Sequence, residues 1–218
     1  MSGPVQGPRL GWLAELIGLG MALYFRLVAR TCRVSGAVSG EQAVLAFWHE
    51  FNHACFVVAL ARRRKVPHAS FSTRGFRGVV ITSMMRHTGD EVHVLPLPEE
   101  GDRAGGRDFA LRLAALSRSG YSPVVTPDGP FGPARVVKPG ALIVAREASL
   151  PIQPWAASVR PSVRLTGRWD SQIVPLPFCR IRLSAGAPLT VGPRERLSRR
   201  VADLQRAMDE VTAQAERR

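Results

Sequence analysis

From Ser122 to Ala157 the chain reads as a strand, a stiff loop, a helix and a second strand, and no other feature restricts the fold as much. Ser122 to Thr126 is an extended apolar stretch. It runs into Pro127-Asp128-Gly129-Pro130-Phe131-Gly132-Pro133, where proline and glycine break both helix and ladder. Pro139 suits the first position of a helix through Glu147, and Leu150-Pro151 returns the chain to a strand from Ile152 to Ala157.

The same alternation runs through the rest of the chain. Val34 to Val38 and Val44 to Trp48 read as short strands separated by Ser39-Gly40, and Glu50 to Arg64 as a helix, so His49 falls at a strand-to-helix junction. His68 to Ser72 reads as a strand, Phe76 to Met85 as a helix, Glu91 to Leu95 as a strand and Glu99 to Gly106 as a polar loop. A helix follows from Arg107 to Ser119. Extended stretches at Ser162 to Leu165 and Cys179 to Ala185 add strands. Arg194 to Arg218 is a terminal helix with Leu197, Val201, Leu204, Met208 and Val211 on one face. The expected fold is an α/β single domain with a mixed, largely parallel sheet flanked by helices, plus an N-terminal apolar helix and a C-terminal amphipathic helix. The expected division is residues 1–30 for the first helix, 31–192 for the domain and 193–218 for the last helix. Functional loops of such a domain sit at strand ends.

The segment from Leu10 to Val28 is strongly apolar but carries Glu15 and Arg26 and lacks a small-residue cleavage site, which argues against a removed signal peptide. A spanning helix needs about 20 apolar residues. Lying in the membrane interface, packing on the domain and crossing the bilayer all remain open for it. The formal charge of +13 attracts polyanions, including anionic lipid headgroups and phosphorylated substrates. Almost all of it is arginine, since Lys65 and Lys138 are the only lysines, and a plain solvated arginine surface is the first expectation for it, ahead of a dedicated polyanion site. No helix-turn-helix, zinc-finger or stacking-aromatic motif accompanies the charge, so no specific nucleic-acid partner is expected. Cys32, Cys55 and Cys179 lie far apart, which suits a reducing compartment and neither a disulfide framework nor a cysteine-rich zinc site.

His49-Glu50-Phe51-Asn52-His53 matches H-E-x-x-H, a pattern in which two histidines bind zinc and the glutamate acts as base. The extended form needs glycine and histidine where this chain has Phe56 and Ala59, and Glu91 is a spare acid. In a second reading His49 is a general base at a strand end, removing a proton from a hydroxyl or amine that attacks an acyl thioester. A third makes it a capping or buried hydrogen-bonded histidine.

Trp48-His49, the loop Thr126 to Pro133, Val137-Lys138-Pro139-Gly140, Leu150-Pro151-Ile152-Gln153-Pro154, Arg168-Trp169-Asp170 and Pro175-Leu176-Pro177-Phe178 form an ordered series. In order and spacing it resembles a bacterial branch of the lysophospholipid acyltransferase superfamily, over roughly residues 40–192. The resemblance implies transfer of a fatty acyl group from acyl-CoA or acyl-carrier protein, as co-substrate, to a lysophospholipid-like or other amphipathic acceptor. The implied setting is the cytoplasmic face of the membrane, with an anionic lipid surface as partner, no cofactor and no metal. Its candidate catalytic residues are His49 and Asp128. Its candidate binding residues are Trp48, Gly129, Arg135 and Lys138, the two cations placed to hold phosphates.

The wider superfamily uses H-x-x-x-x-D, whose aspartate orients the histidine, yet five positions after His49 stands Ala54. Glu50, Asp128 and Asp170 are the substitutes at motif positions. The branch's aspartate-glycine-glutamate segment is replaced by Ser72-Thr73-Arg74-Gly75-Phe76-Arg77-Gly78, and its arginine-glycine-serine element by the stretch Leu97-Pro98-Glu99-Glu100. These departures keep two other readings open: a catalytically impaired relative that binds a lipid or acyl donor, and a zinc-dependent hydrolase.

Overall fold

The structure, a computed structural model, describes residues 8–36, 40–62, 66–72, 75–88, 92–96, 102–129 and 131–217. In chain order the elements are α1 (Pro8–Thr31), β1 (Arg33–Ser35), β2 (Val44–Phe47), a 3-10 turn (His49–Phe51), α2 (Asn52–Ala61), β3 (His68–Ser72) and α3 (Gly75–Thr88). There follow β4 (Val92–Pro96), α4 (Arg103–Arg118), β5 (Ser122–Val125), α5 (Gly140–Ala148), β6 (Ile152–Arg164), β7 (Ile173–Ala185) and α6 (Leu197–Glu216).

The strands form one seven-stranded sheet in the order β1-β7-β6-β2-β5-β3-β4. From β6 to β4 all neighbours are parallel; β7 runs antiparallel to β6, and β1 runs with β7. The sheet is therefore mixed and largely parallel, as the sequence implies. All four residues of β2 are buried, as expected of a central parallel strand covered on both faces. From β2 the chain crosses through α2 to β3 on one side, whereas from the adjacent β5 it crosses through α5 to β6 on the other. Right-handed crossovers place those helices on opposite faces. Helices α1, α2 and α3 pack together on one face, and α4, α5 and α6 form the other layer. The reversal makes the carboxyl ends of β2 and β5 a switch point, the place where open α/β sheets form a crevice.

Several boundaries differ from the sequence reading, among them the start of β7, which lies at Ile173 and not at Cys179. Helix α4 begins at Arg103, because the Asp102 side chain accepts a hydrogen bond from the Gly105 amide (2.8 Å) and caps a first turn whose glycines read as loop. The stretches at Ile152 and Ser162 are one strand, β6, carried past Pro161 by a shift in register between Arg160 and Ser162. Glu50 belongs to the 3-10 turn and the α-helix starts only at Asn52. The sequence expectations at Val38, Glu91 and Leu97 to Glu100 lie outside the described residues.

Helix α1 is long and apolar enough to cross a membrane by length and composition. Ala14, Ala22, Phe25 and Val28 are buried, and the helix packs on α2, α3 and β7. Trp12, Leu16, Leu23 and Leu27, on its other side, are each more than half exposed. On α6 the expected face is turned inward, with Leu204, Met208 and Val211 buried. All three cysteines are free thiols.

Candidate active site at the carboxyl ends of β2 and β5

Strand β2 ends at Phe47 and delivers Trp48 and His49 to the crevice; its neighbour β5 ends at Val125 and delivers Asp128. The two arms are tied together. The His49 backbone N–H donates to both Asp128 carboxylate oxygens (3.2 and 3.3 Å), and the Arg135 N–H donates to the same carboxylate (3.3 Å). Asp128 thus clamps backbone and makes no hydrogen bond to the His49 ring. Burial pushes its carboxyl up to about 6, while the two backbone donors hold it down and Glu50 raises it further.

A cavity of about 210 Å³ opens here. Trp48 and Asp128 line it from the ends of β2 and β5, Ala134 and Arg135 come from the loop after β5, and Arg164, Trp169, Asp170 and Ser171 come from β6 and the β6–β7 turn. Glu50 also lines it, buried and held between Arg135 (Nε to Oε1, 2.6 Å) and Arg164 (Nη1 to Oε2, 2.9 Å). Arg135 further pairs with Glu216 at the end of α6 (2.9 Å). Gln205 of α6 accepts from the Val137 amide (2.8 Å) and donates to the Arg135 carbonyl (3.0 Å), so the last helix fixes the loop.

The His49 ring packs against Trp169 (centroids 5.2 Å apart), and its buried Nδ1 has no hydrogen-bond partner among the described residues. Burial pushes its pKa down to about 4; Asp170 opposes this, whereas Arg168, His53 and Arg77 reinforce it. At neutral pH the ring is therefore uncharged and able to accept a proton. Burial pushes Asp170 up, but Arg168 (Nε to Oδ1 2.9 Å, Nη2 to Oδ2 3.0 Å), His49 and Gln172 (2.8 Å) outweigh it and hold the carboxyl below its ordinary range.

Of the residues singled out in sequence, Trp48, Asp128 and Arg135 line the cavity and His49 adjoins it. Gly129 has a left-handed φ of 68°, and a β-carbon there would meet the Lys138 side chain at 3.1 Å, so Lys138 lies over the start of the loop and is not among the lining residues. Sequence reading did not find Arg164 or Glu216, and it noted Arg168 only as part of the Arg168-Trp169-Asp170 segment. Arg164 sits at the end of a strand whose last residues, from Arg160 on, are all exposed, and nothing local distinguishes it from neighbouring arginines.

The H-E-x-x-H segment is not laid out as a metal site. His49 lies in the 3-10 turn, His53 stacks on Phe25 (5.3 Å), and Glu50 is taken up by two arginines. Among the described residues no three His, Cys, Asp or Glu side chains come together to hold a metal ion.

Gly132 ties the loop to the site. Its φ is 73°, and a β-carbon would come within 2.7 Å of the Trp169 ring. Gly132→Ala is expected to cost about 1–3 kcal/mol through backbone strain and displacement of that ring, measured as a lowered urea midpoint.

No family model matches the chain. Over 154 residues, 69% of the chain, it is 30% identical to the uncharacterized protein RP090 of Rickettsia prowazekii (strain Madrid E). The match spans 66% of that protein, just under two thirds of its length. In three dimensions the chain is similar to the crystal structure of the 1-acyl-sn-glycerophosphate (LPA) acyltransferase PlsC from Thermotoga maritima, with 14% identity, 93% of this chain and 79% of that chain covered, and a TM-score of 0.48.

Proposed function

We propose that the chain is an acyltransferase that moves a fatty acyl group from a thioester, acyl-CoA or acyl-carrier protein, to the hydroxyl of a lysophospholipid-like or other amphipathic acceptor at the membrane surface. One observation carries this reading: a buried histidine at the end of β2, its pKa pushed down by burial, is pinned to the loop after β5 beside a cavity lined by two arginines and three carboxylates. In the step, His49 takes the proton of the acceptor hydroxyl as its oxygen attacks the thioester carbonyl. The new C–O bond forms, the C–S bond breaks, and the departing thiolate receives the proton from His49 to leave as a thiol. Arg135 and Arg164 are positioned to attract phosphate groups of donor or acceptor, with Glu50 holding them in place.

The test is transfer of a labelled acyl group from acyl-CoA and from acyl-carrier protein to a panel of lysophospholipids and other hydroxy lipids. Transfer by the wild type that His49→Ala abolishes supports the reading. Folded wild type that binds an acyl donor yet transfers nothing favours a binding-only relative, the second reading, which is motivated by Ala54 and by His49 Nδ1 having no hydrogen-bond partner among the described residues.

The membrane surface is the proposed partner and its cytoplasmic face the proposed location. A helix that keeps Ala14, Ala22, Phe25 and Val28 packed on the domain lies along a bilayer and presents Trp12, Leu16, Leu23 and Leu27 to it. Phe178, 77% exposed, is held beside the end of α1 by its N–H donating to the Thr31 hydroxyl (3.1 Å), and Arg30 and Arg33 are exposed nearby. Replacing Leu16 and Leu23 together by Asp is expected to weaken binding to anionic vesicles at least about tenfold, since each buried side chain contributes roughly 1.5–3 kcal/mol. Flotation of the full chain with phosphatidylglycerol vesicles measures it.

A further inference from the structure

We propose that Phe178 is a second membrane-inserting residue, carried on a strained bulge of β7 and seated at the end of the exposed apolar row of α1, so that the chain grips a bilayer at two points. The proposal rests on reading the membrane surface as the partner.

The strain is local to the bulge. Strands β6 and β7 pair Arg160 with Arg180 and then Ser162 with Pro175, so residues 176–179 of β7 stand opposite Pro161 alone. The surplus residues loop out of the ladder, and where a bulge needs a left-handed backbone, glycine fits without strain. This bulge instead holds Phe178 at a φ of 64°, a conformation that a bulky side chain disfavours. Burial of the ring would offset that strain. Phe178 is 77% exposed, more than any other large apolar residue described, so packing supplies no such offset. Folding alone gives no reason for phenylalanine here.

Two hydrogen bonds dock the bulge on α1. The Tyr24 hydroxyl donates to the Pro175 carbonyl (2.8 Å), and the Phe178 N–H donates to the Thr31 hydroxyl (3.1 Å), which itself donates to the Leu27 carbonyl (2.9 Å). Positions 23, 27 and 31 lie one above another on a helix. The bulge therefore sits where the exposed row through Leu23 and Leu27 ends, and Phe178 extends that row beyond the helix. Arg30 in the last turn of α1 and Arg33 at the start of β1 are exposed beside it. Apolar groups that insert, flanked by cations that stay in the headgroup layer, match an anionic bilayer.

A second contact also fixes orientation. A single helix lying on a surface is free to roll about its axis, whereas a contact on β7, off that axis, stops the roll. Strand β7 begins at Ile173, just after the turn whose Trp169, Asp170 and Ser171 line the cavity, so an anchored bulge sets the height of the cavity above the lipid.

Two measurements on the full chain test this. Phe178→Gly removes the ring and leaves a residue that tolerates positive φ. Its urea midpoint is expected to hold or rise while its affinity for phosphatidylglycerol vesicles, read by flotation, falls about tenfold. Unchanged flotation overturns the proposal, whatever the midpoint does. In the second, Phe178→Trp is expected to keep the vesicle affinity and to add fluorescence that brominated phosphatidylglycerol quenches beyond the quenching of the wild type. No added quenching overturns the proposal. The two failures are separable: flotation lost on replacing Leu16 and Leu23 by Asp but kept in Phe178→Gly removes Phe178 alone, whereas wild type that does not float removes the membrane reading with it.

Discussion

Replacing His49 by alanine is expected to lower acyl transfer from a thioester by about 10²–10⁴-fold, the range that a positioned proton acceptor supplies. The effect belongs to chemistry and not to folding, because the features that hold this residue are in its backbone. Its N–H donates to Asp128, a bond that alanine retains, and its ring is packed against Trp169, itself part-exposed. Alanine also removes a ring whose buried Nδ1 has no partner, so part of the lost packing is offset. The measurement is kcat/KM for the wild type and the variant on one acyl donor and one acceptor, with matching circular dichroism spectra and urea midpoints showing that the fold is kept. In the wild type, kcat/KM should hold a plateau at neutral pH and fall only as the ring is protonated towards about 4. Loss of activity with an intact fold separates a base from a capping histidine, which would instead lower the midpoint.

Much of this arrangement was legible in the sequence because it is local. The strand His68–Ser72 has the bounds its pattern gave, and the stiff loop and the strand ends that carry His49 and Asp128 follow from runs of apolar residues punctuated by proline and glycine. What was not legible depends on distances through space. The carboxylates Glu50, Asp128 and Asp170 were interchangeable as residues in a series; only the fold sends one to two arginines, one to backbone amides and one to Arg168 and Gln172. Arg164 reaches Glu50 across a separation of 114 residues, and Glu216 reaches Arg135 across 81, so no spacing rule within a helix or strand could signal either pair. The amphipathic pattern of α6 showed which face is buried, but not that the helix also clamps the loop at the site through Gln205. Likewise the apolar run of α1 fixed a helix, whereas its division into a packed and an exposed face emerges only when the domain is placed beside it.

The same burial that readies His49 as an uncharged base predicts marked acid sensitivity. His49 and His53 are both pushed by burial from the ordinary histidine value of 6.5 to about 4 in the folded chain. Between those two values the unfolded chain holds protons that the folded chain rejects, so stability that is fully present above about pH 6.5 is lost as pH falls towards 4. Each ring contributes a loss on the order of 3 kcal/mol. Asp128 works the other way. Its carboxyl is raised from 3.8 to about 6, so the folded chain takes up this proton first, and acidification through the same window returns roughly 3 kcal/mol. Two losses against one gain leave a net loss on the order of 3 kcal/mol, a large fraction of the 5–15 kcal/mol typical of a domain. Urea midpoints at pH 7, 5.5 and 4.5 should therefore decline steadily. Two variants move the slope in opposite directions. His53→Leu, which keeps an apolar side chain against Phe25, is expected to flatten the decline. Asp128→Asn keeps an oxygen to accept from the His49 and Arg135 amides but cannot take up the proton, and is expected to steepen it. Parallel slopes in all three proteins would mean that the acid response arises elsewhere than at His53 and Asp128.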